Sequence, residues 1–197
     1  MHVLVLFAHP RRVSFTGELA DAFCAGLAEA GHGVEFADLY AEGFNPVLDD
    51  CQFGLETAQD PDTPRPPDVL AEQARLARAQ GLAFVYPFWW SDVPAILKGW
   101  FDRVWTYGFA YAYQEDRSRT TRLTIHKALA LCPAGHTIDK LDAQGMREAH
   151  RRVMVDDRLL GVGIPEASLE LLGGLSGNPP EVRAELLERA RELGRGF

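Results

Sequence analysis

The chain has 197 residues, 47% of them hydrophobic, and carries a formal net charge of −8. That length buries one sizeable core and is short for two, so a single domain over residues 1–197 is expected. The acidic balance argues against a nucleic acid or an anionic membrane as the main partner, since both demand a clustered positive field, and it leaves a small molecule as the expected ligand.

Residues 1–7 are apolar but lack a basic leader and a small-residue cleavage site, and no run approaches the roughly 18 apolar residues of a spanning helix, so a cytoplasmic chain without membrane insertion is expected. Cys24, Cys51 and Cys132 are odd in number and far apart. Without CxxC or Cys/His spacing they support neither a disulfide framework nor a metal site.

Residues 3–8 form a continuous apolar run, the pattern of a strand buried on both faces of a parallel sheet. Leu19, Phe23 and Leu27 then recur at helical spacing, which predicts a helix over 17–30 stopped by Gly31-His32-Gly33. A second strand follows over 34–39. Residues 45–67 are rich in proline and acidic residues and read as a long loop, either site-covering or a plain linker. A helix over 68–79, a strand over 82–86 and a helix over 94–105 come next, the last with an apolar stripe of Ile96, Leu97, Trp100, Phe101, Val104 and Trp105. The pattern closes with a strand over 127–132, a polar-faced helix over 144–160, a strand over 168–172 and a final helix. Asn178 reads as that helix's cap, Pro179 as its first turn, and Val182, Leu186, Ala190 and Leu193 as its apolar face.

Five strands alternating with helices predict an α/β fold of three layers, a doubly wound flavodoxin-like parallel sheet in the order 2-1-3-4-5. Ligands of such sheets bind beyond the carboxyl ends of the strands, here at the loops after strands one, three and four. The first loop, His9-Pro10-Arg11-Arg12-Val13-Ser14-Phe15-Thr16, offers hydroxyls, cations and a helix start, the parts of an anion site. It contains neither GxGxxG nor GxxxxGK[ST], and it reads equally as a polar loop with Thr16 as N-cap.

The second loop sets Pro87, Phe88, Trp89 and Trp90 at the end of a buried strand, a wall for a flat ring ligand or else core or dimer packing. The third, with Ala134, Gly135 and His136, allows close backbone approach. His136 reads either as a group titrating near neutrality or as a solvated surface residue. Tyr111 and Tyr113 alternate in an extended segment and face one way, as carbonyl donors or as a half-buried strand edge.

From the first strand to the last helix the chain resembles the flavodoxin-like NAD(P)H:quinone oxidoreductase family. The most specific block is Val93-Pro94-Ala95-Ile96-Leu97-Lys98-Gly99-Trp100-Phe101-Asp102-Arg103-Val104, followed by Phe109-Ala110-Tyr111-Ala112-Tyr113. Ala8-His9-Pro10, Ser14-Phe15, Phe44-Asn45-Pro46, Ala71-Glu72-Gln73 and Asn178-Pro179 with Arg183 support it.

The resemblance implies a flavin, FAD with FMN as the alternative, held at its phosphates by His9, Ser14, Phe15 and Thr16 and along its rings by Pro87, Phe88, Trp89 and Trp90. Ala134, Gly135 and His136 match the third flavin loop, and Arg183 matches a position that helps hold the dinucleotide form. It further implies a homodimer with shared active sites, NADH or NADPH as donor, a ping-pong hydride transfer through flavin N5 to a quinone-like acceptor, and Tyr111 and Tyr113 facing that acceptor. The mammalian Tyr–His pair near the flavin O2 aligns with Leu141 and Arg147, with His150 nearby. Arg147 is therefore expected to act as a fixed cation on the reduced flavin. The C-terminal extension of the mammalian enzymes has no counterpart here. Relatives acting as accessory subunits of potassium-efflux systems, one-electron flavodoxin carriers, and reductases of azo dyes, nitro-aromatics or chromate are the competing roles.

Overall fold

The computed structural model describes residues 1–60, 62–177 and 179–197. Strand β1 (His2–Phe7) is buried on both faces because alternate residues serve two cores. Val3, Val5 and Phe7 pack with Leu19, Phe23 and Leu27 of α1 (Phe15–Glu29) and with Ala190 of α7 (Pro180–Arg195). Leu4 and Leu6 face the other way, toward Leu76 of α3 (Pro67–Arg78), Leu97 and Trp100 of α4 (Ala95–Val104), and Met154. A run with no polar alternation is stable only between two helical layers, and that is where it lies.

Strands β2 (Gly33–Asp38), β3 (Gly81–Val85), β6 (Lys127–Pro133) and β7 (Glu166–Leu172) complete a five-stranded parallel sheet in the order β2-β1-β3-β6-β7. The remaining two strands, β4 (Tyr111–Tyr113) and β5 (Arg119–Thr121), form a separate antiparallel hairpin between α4 and β6. With the hairpin set aside, the order is the expected 2-1-3-4-5.

Three expectations are corrected. The stretch over 45–67 is not all loop, since it holds α2 (Asp50–Thr57), capped by the Asp49 carboxylate, which accepts from Gln52 N at 2.8 Å. Its described prolines, 46, 64, 66 and 67, leave a gap long enough for two turns, and Gln52 ties the helix down by donating to the Arg103 carbonyl at 2.8 Å. Residues 144–160 are not one regular helix. A short α5 (Ile138–Ala143) ends before Gly145, whose φ of 70° breaks the spiral, and α6 (Met146–Arg151) then widens into a π-helical segment, Arg152–Leu159. Finally, Ser14 rather than Thr16 caps α1, accepting from Gly17 N at 3.2 Å, while Thr16 is 4% exposed. The expected cap at Asn178 lies outside the described residues, as does Pro61 of the proline-rich stretch.

Candidate functional site

The loops after β3, β6 and β7 enclose a cavity of about 590 Å³ at the carboxyl end of the sheet. That volume is within the roughly 300–1,000 Å³ typical of small-molecule sites. Phe88, Trp90 and Ser91 form one wall, Ala134, Gly135 and His136 another, and Leu141, Gln144, Met146 and Ser176 close it. Backbone bonds hold the floor together: Ala134 N donates to Leu172 O at 2.7 Å, Ser176 N to Gly135 O at 2.9 Å and Gly174 N to His136 O at 2.9 Å. A Cβ at position 135 would stand 3.1 Å from Ser176 Oγ, so glycine keeps this corner open.

The aromatic wall is built on a tight turn. Trp89 N donates to Asp92 O at 3.2 Å and Asp92 N to Trp89 O at 3.1 Å, with Trp90 and Ser91 at φ of 51° and 64°. Two left-handed central residues define a turn that favours Asn-Gly, and a side chain in that region costs roughly 1–2 kcal/mol. Trp90 is nevertheless fully exposed, and so belongs to no core of this chain. Strain concentrated on an exposed aromatic beside a cavity motivates a binding role for the turn.

Beneath the turn lies a buried polar pair. Tyr86 Oη is 2.8 Å from His150 Nε2, and the Phe88 ring meets the imidazole edge-on at 4.9 Å. Burial pushes His150 down to about 4, the nearby Asp92 carboxylate only partly opposing it, and pushes the Tyr86 phenol up. Burial likewise raises the Cys132 thiol beside Tyr86.

The first loop forms the adjoining edge. With Ser14 as cap, the N–H groups of Phe15 and Thr16 have no intrahelical carbonyl, which gives α1 a donor-rich start. His9 packs its ring 5.5 Å from Trp89 and so joins this edge to the aromatic turn. Arg183 pairs with Glu18 at 2.6 Å and lies over the Phe15 ring at 4.7 Å. Arg12 is engaged elsewhere, paired with Asp21 and lying over Phe7 and Phe36.

The expected residues thus divide into groups. Phe88, Trp90, Ala134, Gly135 and His136 line the cavity, whereas His9, Ser14, Phe15, Thr16 and Arg183 cluster at the start of α1. Pro87 is buried, and Trp89 faces His9. Arg147 is not in the cavity wall: its guanidinium grips Asp142 with two bonds of 2.6 Å, leaving its neighbour Met146 to line the space.

Tyr111 and Tyr113 sit on the hairpin with ring centroids 5.7 Å apart, and Tyr107 adds a third ring 6.0 and 6.2 Å from them. Tyr111 lines a second cavity of about 400 Å³ that shares no residue with the first. Sequence reading missed Ser91, Gln144, Met146 and Ser176. For Ser176 a signal existed, because the loop after the last strand opens on the same sheet end as the others.

A family model described as a flavodoxin-like fold matches residues 1–192. The solved NAD(P)H:quinone oxidoreductase from Methanothermobacter marburgensis is 51% identical, with 99% of this chain and 98% of that one covered at a TM-score of 0.95. NAD(P)H dehydrogenase (quinone) 1 of Rattus norvegicus is 37% identical over 94% of this chain and 73% of its own length. A ribosyldihydronicotinamide dehydrogenase-like protein of Penicillium crustosum is 35% identical over 74% of this chain, which spans 62% of that relative's length.

Proposed function

The chain belongs to the flavodoxin-like family of NAD(P)H dehydrogenase (quinone)-type oxidoreductases, and from that membership we propose that it is a flavin-dependent NAD(P)H oxidoreductase acting on quinones or similar two-electron acceptors. The observation that carries the reading is the strained turn presenting a fully exposed Trp90 to a cavity of about 590 Å³.

The residues present fit a flavin. Phe88 and Trp90 offer a flat apolar face to a ring system, and the small Ala134 and Gly135 let the backbone come close on the other side. The N-terminus of α1, with Ser14, Phe15 and Thr16 beside His9, suits the phosphates. FAD is proposed over FMN because Arg183, stacked on Phe15 and paired with Glu18, stands at the position that the family resemblance matches to the dinucleotide form. The chemistry a bound flavin supplies is two-electron transfer, a hydride in from NADH or NADPH at N5 and out to the acceptor, the two substrates alternating in a ping-pong order.

This chain's residues orient and exclude water. The wall of Phe88, Leu141 and Met146 keeps the ring side apolar, while His136 and Gln144 place polar groups at the rim. Tyr111 and Tyr113 are proposed to hydrogen-bond the acceptor carbonyl, and their separation from the first cavity within one chain supports a homodimer in which each hairpin completes the partner's site. The absorbance spectrum of the purified protein, mass determination of the released cofactor and an NADH/NADPH comparison with menadione test the reading. A bound flavin with menadione turnover is expected; a folded protein without either contradicts it.

A further inference from the structure

A line of buried polar groups runs from the sheet to the 89–92 turn, and the chemistry above uses none of it. Cys132, at the end of β6, lies against the Tyr86 hydroxyl, and Tyr86 Oη is 2.8 Å from His150 Nε2. Nδ1 of the same ring is 3.9 Å from Asp92 Oδ1, which also accepts from Val93 N at 2.7 Å and from Arg158 Nη1 at 3.4 Å.

A carboxylate only accepts, so the ring proton belongs on Nδ1, facing Asp92. That leaves Nε2 to accept from the Tyr86 O–H, so the phenol and ring donors both point toward the turn. Burial, which holds His150 down to about 4, keeps the ring in this neutral form near pH 7. The 3.9 Å gap exceeds a direct hydrogen bond, and a small cavity of about 90 Å³ beside it, lined by Ser91, Asp92 and His150 together with Ala149 and Val153, has room for a water between the two groups.

The turn needs such an anchor. Two consecutive non-glycine residues with left-handed φ relax unless their surroundings over-determine them. The two backbone bonds between Trp89 and Asp92 close the loop but leave its tilt free. What fixes the tilt is Asp92, gripped by Arg158 from the π-helical segment and faced by His150, and Phe88, packed against the imidazole. Arg158 comes from the stretch where the helix widens, a distortion frequent at functional sites, and His150 from the last turn of α6 just before it.

We propose that His150, fixed by Tyr86, is the positioning residue of this site: it holds the Asp92 carboxylate, and through it the 89–92 turn, so that Trp90 meets the cavity at one set angle. The inference rests on the flavin reading for the identity of the ring that Trp90 meets, but not for the positioning itself.

The test uses the full chain carrying His150→Leu, His150→Gln or Tyr86→Phe. The readouts are near-ultraviolet circular dichroism of the tryptophans, FAD titration into the flavin-stripped protein, and KM and kcat with menadione. For His150→Leu the account expects a flattened tryptophan signal and FAD binding weakened about tenfold. His150→Gln keeps an acceptor for Tyr86 and a donor for Asp92, and should return to within about threefold of wild type. Tyr86→Phe removes one oxygen, should fall between the two, and decides the matter if the leucine variant does not fold. Wild-type dichroism and FAD affinity in folded His150→Leu and Tyr86→Phe overturn the proposal, as does a glutamine variant no better than leucine. Should the wild type itself take up no FAD, the flavin reading falls, and the tryptophan signal still decides the positioning role.

Discussion

The two ends of the proposed site are built differently. The cavity end is assembled from four segments of one chain: Phe88 and Ser91 after β3, Gly135 after β6, Met146 on α6 and Ser176 after β7, cross-tied by backbone hydrogen bonds. The hairpin end carries Tyr107, Tyr111 and Tyr113 away from the main sheet, beside a cavity with no residue in common with the first. Under the proposed function the ring seat lies within one chain, and the acceptor contacts are assigned to a second chain that brings the tyrosines across.

Acid stresses the cavity end through His150. His150 is neutral when buried, with a folded value of about 4 against an ordinary 6.5. Its depressed folded value means the unfolded chain takes up the proton first, so the stability His150 contributes falls as pH drops from about 6.5 toward 4 and levels off below. The full loss approaches about 3 kcal/mol. Urea melts across that range should show the loss in wild type and lose most of it in His150→Leu; an unchanged slope in the variant contradicts the assignment.

Gly135→Val attacks the same end sterically, by pressing a branched side chain toward Ser176 Oγ. FAD binding should weaken roughly 50-fold, about 2.3 kcal/mol, with little change in Tm. Calorimetric binding equal to wild type breaks the cavity assignment.

Tyr111→Phe and Tyr113→Phe probe the other end. Each should cost about 1 kcal/mol, roughly fivefold in KM for menadione, without loss of bound flavin. Mixing Gly135→Val chains with Tyr111→Phe/Tyr113→Phe chains sharpens the comparison, because a hybrid dimer regenerates one intact cavity facing one intact hairpin. Recovered activity on subunit exchange is expected, and its absence denies that the two ends meet across chains.

Ser91→Gly, which relieves one left-handed side chain, should raise stability by about 0.5 kcal/mol in a thermal melt. Arg147→Ala should change the flavin reduction rate less than about twofold, because Asp142 already neutralises the cation. A larger drop restores the role expected from its aligned position.

How much of this was legible follows from where the determinants lie. Continuous apolar runs such as Val3 to Ala8 specify parallel strands by composition, and the sheet order followed. Helix α2 hid between prolines, because its tie, Gln52 to the Arg103 carbonyl, is tertiary. His150 was named only for its place near the aligned Arg147, because its contact with Tyr86, 64 residues away in the chain, is tertiary. Phe88, Trp90 and Gly135 were found because their chemistry is local. Gln144 and Met146 were missed because only the break at Gly145 turns them into the cavity.

The central claim is a flat ring seated against Trp90, and its most direct measurement is equilibrium titration of FAD and FMN into flavin-stripped wild type and Trp90→Ala, followed by quenching of flavin fluorescence. The account expects tight binding by wild type and at least about tenfold weaker binding by the variant, from the lost stacking face. Equal affinities, or no uptake by folded wild type at micromolar flavin, contradict it.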